Sequence, residues 1–187
     1  MRQASSAFGA LVGSVGDSWS RPTPCDGWTV RDLVNHVVGG NVLFTQLLQG
    51  SPLPEGAGLS AVASTDFLGD DPVAAFDASV SGLLAAFEMP GVMAQTFPTP
   101  IGVVPGAVVV HLRVTEWLVH GWDLQTALGR LGSLPEDLAE EEIAFSRAGI
   151  EALPPGRMPF APPQPAGAEA PASDRLAALL GRDVGRR

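Results

Sequence analysis

The sequence contains no lysine: its eleven basic residues are all arginine, set against twenty acidic ones, for a formal charge of −9 over 187 residues. Proteins hold nucleic acid by clustering Lys and Arg against phosphates, and no such cluster is present, so neither DNA nor RNA is an expected partner. The single cysteine, Cys25, can form neither an internal disulfide nor a thiolate metal site by itself. No charged-then-apolar leader opens the chain. The most apolar run, residues 101–110, is interrupted by Pro105 and falls short of the roughly 20 apolar residues a membrane span needs. These absences give the expectation of a cytoplasmic protein with no membrane partner.

What is present is an ordinary globular composition, with 45% apolar and 17% charged residues, and enough length for one substantial core. Helical spacing of Phe8, Leu11, Val12 and Val15 predicts a first helix over residues 4–16, followed by a loop through the prolines and glycine of 20–28. Thr29 reads as an N-cap with Asp32 at the third helical position, opening a helix to about Gln49. A Gly/Pro/Ser-rich connection covers residues 51–70. Asp71-Pro72 is a cap followed by proline at the first helical position, and the helix it opens runs to about Phe87. Residues 90–105 have room for a short extended hairpin, and a long apolar helix runs from Gly106 to Leu128, ending at Gly129. A further helix over residues 135–148 carries an acidic outer face of Glu136, Asp137, Glu140, Glu141 and Glu142. Residues 154–171 hold seven prolines and read as an extended strap, with one short helix over 173–180. The pattern is an all-α bundle over residues 1–153, with 154–187 as strap and terminal helix. A homodimer is compatible with the apolar surplus.

Two of these helices carry the chemistry. On the helix from Thr29, the stripe Leu33, His36, Gly40, Leu43 and Leu47 shares one face, so His36 stands inside an apolar row with a glycine one turn on. On the long late helix, Glu116, His120 and Asp123 occupy successive turns of a face otherwise written in Val, Leu and Ala. A buried carboxylate costs several kcal/mol unless it is paired or ligated. A core histidine is more often merely hydrogen-bonded, and a Glu–His pair at i, i+4 can be a plain ion pair. The joint placement of His36, Glu116 and His120 on two buried faces is what points to a divalent cation shared by all three. Two imidazoles and one carboxylate suit Zn2+, with Ni2+ or Fe2+ as alternatives, and leave a coordination position open, as in catalytic rather than structural sites. Asp123 is placed to accept from the free N–H of a ligand histidine, so as to orient it or shuttle a proton in catalysis, with a role near the helix C-terminus as the alternative. His111 lies off this face and reads as a cap or surface residue. Cys25 has no basic neighbour in sequence to activate it and reads as packing for its loop. Trp28, Trp117 and Trp122 read as core, with a pocket lining as the alternative.

The segments "TPCDGWTVRDLVNHVVGGN" (residues 23–41) and "EWLVHGWDLQTALG" (residues 116–129), with the ending "DRLAALLGRD" (174–183), resemble the actinobacterial metal-binding relatives of mycothiol-dependent maleylpyruvate isomerase, in the DinB-like superfamily. The resemblance implies a DinB-like up-down four-helix bundle, a metal triad at His36, Glu116 and His120, and mycothiol or a similar low-molecular-weight thiol as cosubstrate. Where the isomerase carries a second, C-terminal domain, this sequence reads as a proline-rich strap and a short helix. The expected activity is therefore that of a metal-dependent thiol S-transferase or isomerase, in which a metal-activated thiolate adds to an electrophilic small molecule. A non-catalytic metal- or ligand-binding bundle, as a sensor or interaction protein, is the alternative reading, and a metal-free bundle whose polar face pairs internally is a third.

Overall fold

The computed structural model describes residues 1–51, 65–99, 101–130, 134–152 and 160–186. Among them are six helices: α1 (Arg2–Val12), α2 (Val30–Leu48), α3 (Pro72–Phe87), α4 (Gly106–Leu128), α5 (Glu136–Ala152) and α6 (Ala172–Leu179). A two-stranded antiparallel hairpin, β1 (Thr96–Thr99) and β2 (Gly102–Pro105), leads into α4, with Thr96 opposite Pro105 and Thr99 opposite Gly102. The all-helical expectation and the hairpin are both seen. The sequence reading of residues 52–64, and that of the strap over 154–159, fall outside the described residues.

Local chemistry sets where the site-bearing helices begin and end. Thr29 accepts from the Asp32 amide while the Asp32 carboxylate accepts from the Thr29 amide, so both orphan donors at the start of α2 are satisfied reciprocally. Asp71 caps α3 through the Ala74 amide, with Pro72 behind it. Among the described residues no side chain caps the start of α4. Its first amides donate instead to main-chain carbonyls of the preceding segment, Gly106 N–H to Gln95 at 2.9 Å and Ala107 N–H to Met93 at 3.1 Å. Gly129, at φ +65°, closes α4 in the left-handed conformation that glycine adopts without strain.

Helices α1 to α4 form the bundle, α2 packing on α3 and α4, and α1 on α3 and α4. Its centre is α4, which has no exposed residue over 111–128: Trp117, Leu118, Trp122 and Leu124 are all essentially inaccessible. Phe8 of α1 meets Phe76 of α3 with ring centroids 5.2 Å apart. Helices α5 and α6 pack on each other and against α4, so α4 is enclosed on both sides.

One residue of the expected acidic face of α5 is turned inward. Glu142 is only 2% exposed, because it shares the inner stripe with Ala139, Ile143 and Ser146 at helical spacing. Its carboxylate accepts from Thr115 Oγ1 at 2.8 Å and lies 2.8 Å from His111 Nδ1, so His111 joins α4 to α5 rather than capping a helix. Burial pushes the Glu142 carboxyl above its usual range, against the opposing pull of His111 and Thr115. A carboxyl raised on folding stabilises the protein most when protonated, and that contribution is lost as pH rises through the folded value. Glu142→Gln, which imitates the protonated acid, is therefore expected to raise Tm by a few degrees at pH 8 and to leave it unchanged near pH 4. Thermal melts of both proteins across that range measure it.

Candidate metal centre

The facing of α2 and α4 brings the three expected ligands to one point. His36 Nε2 lies 3.0 Å from Glu116 Oε2, and His120 Nε2 lies 3.4 Å from the same oxygen. The donor atoms of the three residues all fall within 4.8 Å of one another. His36 and His120 are buried, their ring centroids 5.1 Å apart and edge to face. Trp28 covers both, its ring 4.9 Å from His36 and 5.9 Å from His120. The tight loop from Arg21 to Thr29 positions that indole: Thr23 and Trp28 bond through their main chains, and Gly27 supplies the turn at φ +76°.

Around this triad runs a second set of contacts. Asp123, wholly buried one turn beyond His120, lies 3.0 Å from His120 Nδ1. A proton on Nδ1 directs the other ring nitrogen, Nε2, toward Glu116 with its lone pair free for a cation. Arg182, which follows α6, donates to Asp123 twice, from Nε to Oδ1 at 3.1 Å and from Nη2 to Oδ2 at 2.8 Å. The Cys25 thiol donates to Asp123 Oδ2 at 3.2 Å and accepts from Arg182 Nη2 at 3.5 Å. Cys25, His120 and Asp123 also stand close enough to be a ligand set. There the cationic position is already taken by the Arg182 guanidinium, so the donor set that fits a divalent ion is His36, Glu116 and His120.

Electrostatics give the metal-free state of this site. Burial would raise the Glu116 carboxyl, but His120 and His36 overcome it and hold Glu116 well below its usual range. Burial would likewise keep His120 neutral, but Glu116 and Asp123 outweigh it and lift His120 well above the usual histidine value. His36 is lowered, mainly by burial. A proton on His120 thus stands in for the cation when no metal is bound. The Asp123 carboxyl, despite burial, is held down by His120 and Arg182.

The triad opens on a cavity of about 760 Å³, walled by Cys25, Trp28, Trp122, Phe160 and Arg182. Trp28 and Trp122 line it, whereas Trp117 is closed inside the core. Sequence reasoning placed His36, Glu116, His120 and Asp123 where the structure brings them together. It missed Arg182 and the approach of Cys25 to it. Arg182 lies 59 residues from Asp123 in sequence, and no periodicity links a residue after the last helix to a face of α4.

Comparisons with known proteins identify the family of the chain. Residues 1–125 match the family described as mycothiol maleylpyruvate isomerase N-terminal domain. Two uncharacterized proteins, from two strains of Mycobacterium tuberculosis, are each 41% identical over 186 residues, covering 98% of this chain and 96% of theirs. The crystal structure of the mycothiol-dependent maleylpyruvate isomerase superposes with a TM-score of 0.58 at 19% identity, covering 74% of this chain and 63% of that one. A histidine-to-alanine mutant of the isomerase superposes equally, at 18% identity. This chain therefore spans less than two thirds of the isomerase's length. With a family match over two thirds of its residues, with the bundle of the isomerase, and with near full-length relatives, the chain belongs to the mycothiol maleylpyruvate isomerase N-terminal domain family.

Proposed function

We propose that this protein is a divalent-metal-dependent enzyme that uses a low-molecular-weight thiol of the mycothiol class, as an S-transferase or isomerase acting on an electrophilic small molecule. The observation that carries the reading is the convergence of His36 Nε2 and His120 Nε2 on one oxygen of Glu116, beside an open cavity. A divalent cation held there, most simply Zn2+, supplies Lewis acidity that lowers a thiol's pKa and makes thiolate available at neutral pH.

The chain's own residues do the rest. His36, Glu116 and His120 would hold the ion, and Asp123 would fix the tautomer and orientation of His120. Arg182 and Cys25 hold Asp123 in turn. Trp28 and Trp122 offer apolar walls against which a small substrate is desolvated. The thiolate forms a carbon–sulfur bond to an activated alkene as the C=C π bond breaks and its electron pair moves onto the activating carbonyl. Protonation of the adduct completes a transfer, whereas rotation followed by loss of the same thiolate completes an isomerisation. The family supports the link to mycothiol, and the donor set supports the ion.

Elemental analysis and turnover test the reading together. Purified protein is expected to carry about one divalent ion per chain, and the loaded protein with mycothiol is expected to consume members of an electrophile panel that includes maleylpyruvate. Stoichiometric metal without thiol-dependent turnover would instead favour a binding protein, and absence of metal would remove the centre altogether.

A further inference from the structure

A second charged group lies beneath the triad. Arg113 is on α4, one turn before Glu116, and its guanidinium packs against Gly40, one turn beyond His36 on α2. It is only 2% exposed. Among the described residues no carboxylate bonds to it. Nη2 donates to the Asn41 side-chain oxygen at 2.9 Å and to the Val37 carbonyl at 3.4 Å, and Nε has no partner among the described residues. The faces of Phe44 and Trp117 lie 5.4 and 6.0 Å from Cζ.

The fold is arranged around this cation. A Cβ at residue 40 would stand 2.7 Å from Nη1, so Gly40 makes room for Arg113 rather than for His36. Asn41 is itself held by Ser79, which bonds back to the Phe76 carbonyl, tying the guanidinium to three helices. A buried cation without an ionic partner is costly, and a methionine or leucine would fill the same space at lower cost. The charge stands close to the triad: Arg113 is one helical turn from Glu116 on α4, and its guanidinium lies against Gly40, one turn from His36 on α2.

With a divalent ion at the triad, Glu116 would offset only one of its two positive charges, while Asp123 and Arg182 cancel each other. Arg113 adds a further positive charge in a buried region, where charges are screened less than in water. We propose that Arg113 is an electrostatic positioning residue that makes the open coordination position of the centre select anionic ligands, thiolate included, over neutral ones. The inference rests on the metal reading above and adds the residue that tunes it.

The test uses Co2+-loaded full-length protein, titrated with azide as the anionic probe and imidazole as the neutral one, and followed by visible absorption. Arg113→Met and Arg113→Gln are expected to weaken azide about tenfold while leaving imidazole within about twofold. Arg113→Lys, which keeps the charge, should retain the azide preference. Asn41→Ala, which removes a hydrogen bond but no charge, should lower Tm and leave that preference intact. A fall in both ligands together, or in neither, overturns the proposal. If neither neutral variant folds, the lysine variant decides it: loss of the azide preference there, with the charge retained, overturns the proposal, and its retention supports it. Metal content is measured first. Protein that binds no Co2+ overturns the metal reading and this inference with it, whereas bound Co2+ with an unaltered azide-to-imidazole ratio overturns this inference alone.

Discussion

Glu116→Gln is expected to yield folded protein whose affinity for a divalent ion is lower by about three orders of magnitude. A three-residue site of this kind draws on the order of 10 kcal/mol from its ligands, so removing one, and the only anionic one, costs on the order of 4 kcal/mol. His36→Ala and His120→Ala should weaken the ion comparably. Chelator competition and elemental analysis measure the loss, and unchanged affinity in Glu116→Gln would place the ion elsewhere.

The same variant has a pH signature in metal-free protein. Glu116 is depressed on folding, so its contribution is present above the unfolded value near 4.5 and is lost as pH falls through the folded one. His120 is raised, so its contribution is full below the unfolded value near 6.5 and is lost as pH rises through the folded one. Stripped wild-type protein should therefore melt highest between about pH 4.5 and 6.5 and weaken on the alkaline side. Metal should restore the alkaline stability, because the ion replaces the proton on His120. Glu116→Gln should flatten both arms. Melts with and without a chelator, at pH 5 and pH 9, decide the point.

Gly106→Ala carries the largest expected effect on folding itself. A Cβ at residue 106 would lie 2.1 Å from the Val92 carbonyl oxygen and 2.9 Å from its carbon. Both obstacles are backbone, so no side chain can rotate away. The first amides of α4 are bonded to the main chain of Gln95 and Met93, so the helix cannot shift without losing its only described cap. A loss of about 3 kcal/mol or more follows, or roughly 6–12 °C in Tm for a chain of this size. Glu116 lies ten residues further along, about 15 Å at 1.5 Å per residue, so metal affinity of the folded fraction should change little. A Tm within 2 °C of wild type would show that the segment around Val92 yields readily, contrary to this packing.

How much was legible in the sequence follows from the range of each signal. Caps and stops are local, and Thr29, Asp71 and Gly129 act in the structure where their chemistry places them. Periodicity extends one step further, because a helix face repeats every three or four residues. It was enough to set His36 in an apolar row and Glu116, His120 and Asp123 on one stripe. Glu142 shows its limit. Within a cluster of acids, composition reads as a solvated face, and only the docking of α5 on α4 shows that one of them turns inward.

By itself, then, the chain determined which segments are helical, the ends marked by Thr29, Asp71 and Gly129, and the faces of α2 and α4 that carry the site, since these depend on neighbours a few residues away. Tertiary structure alone decided that Arg182 clamps Asp123, that Cys25 lies beside both, and that Gly40 accommodates Arg113. Those contacts join residues far apart in sequence. They form only when whole helices dock, and their energy depends on burial and charge that no local pattern records.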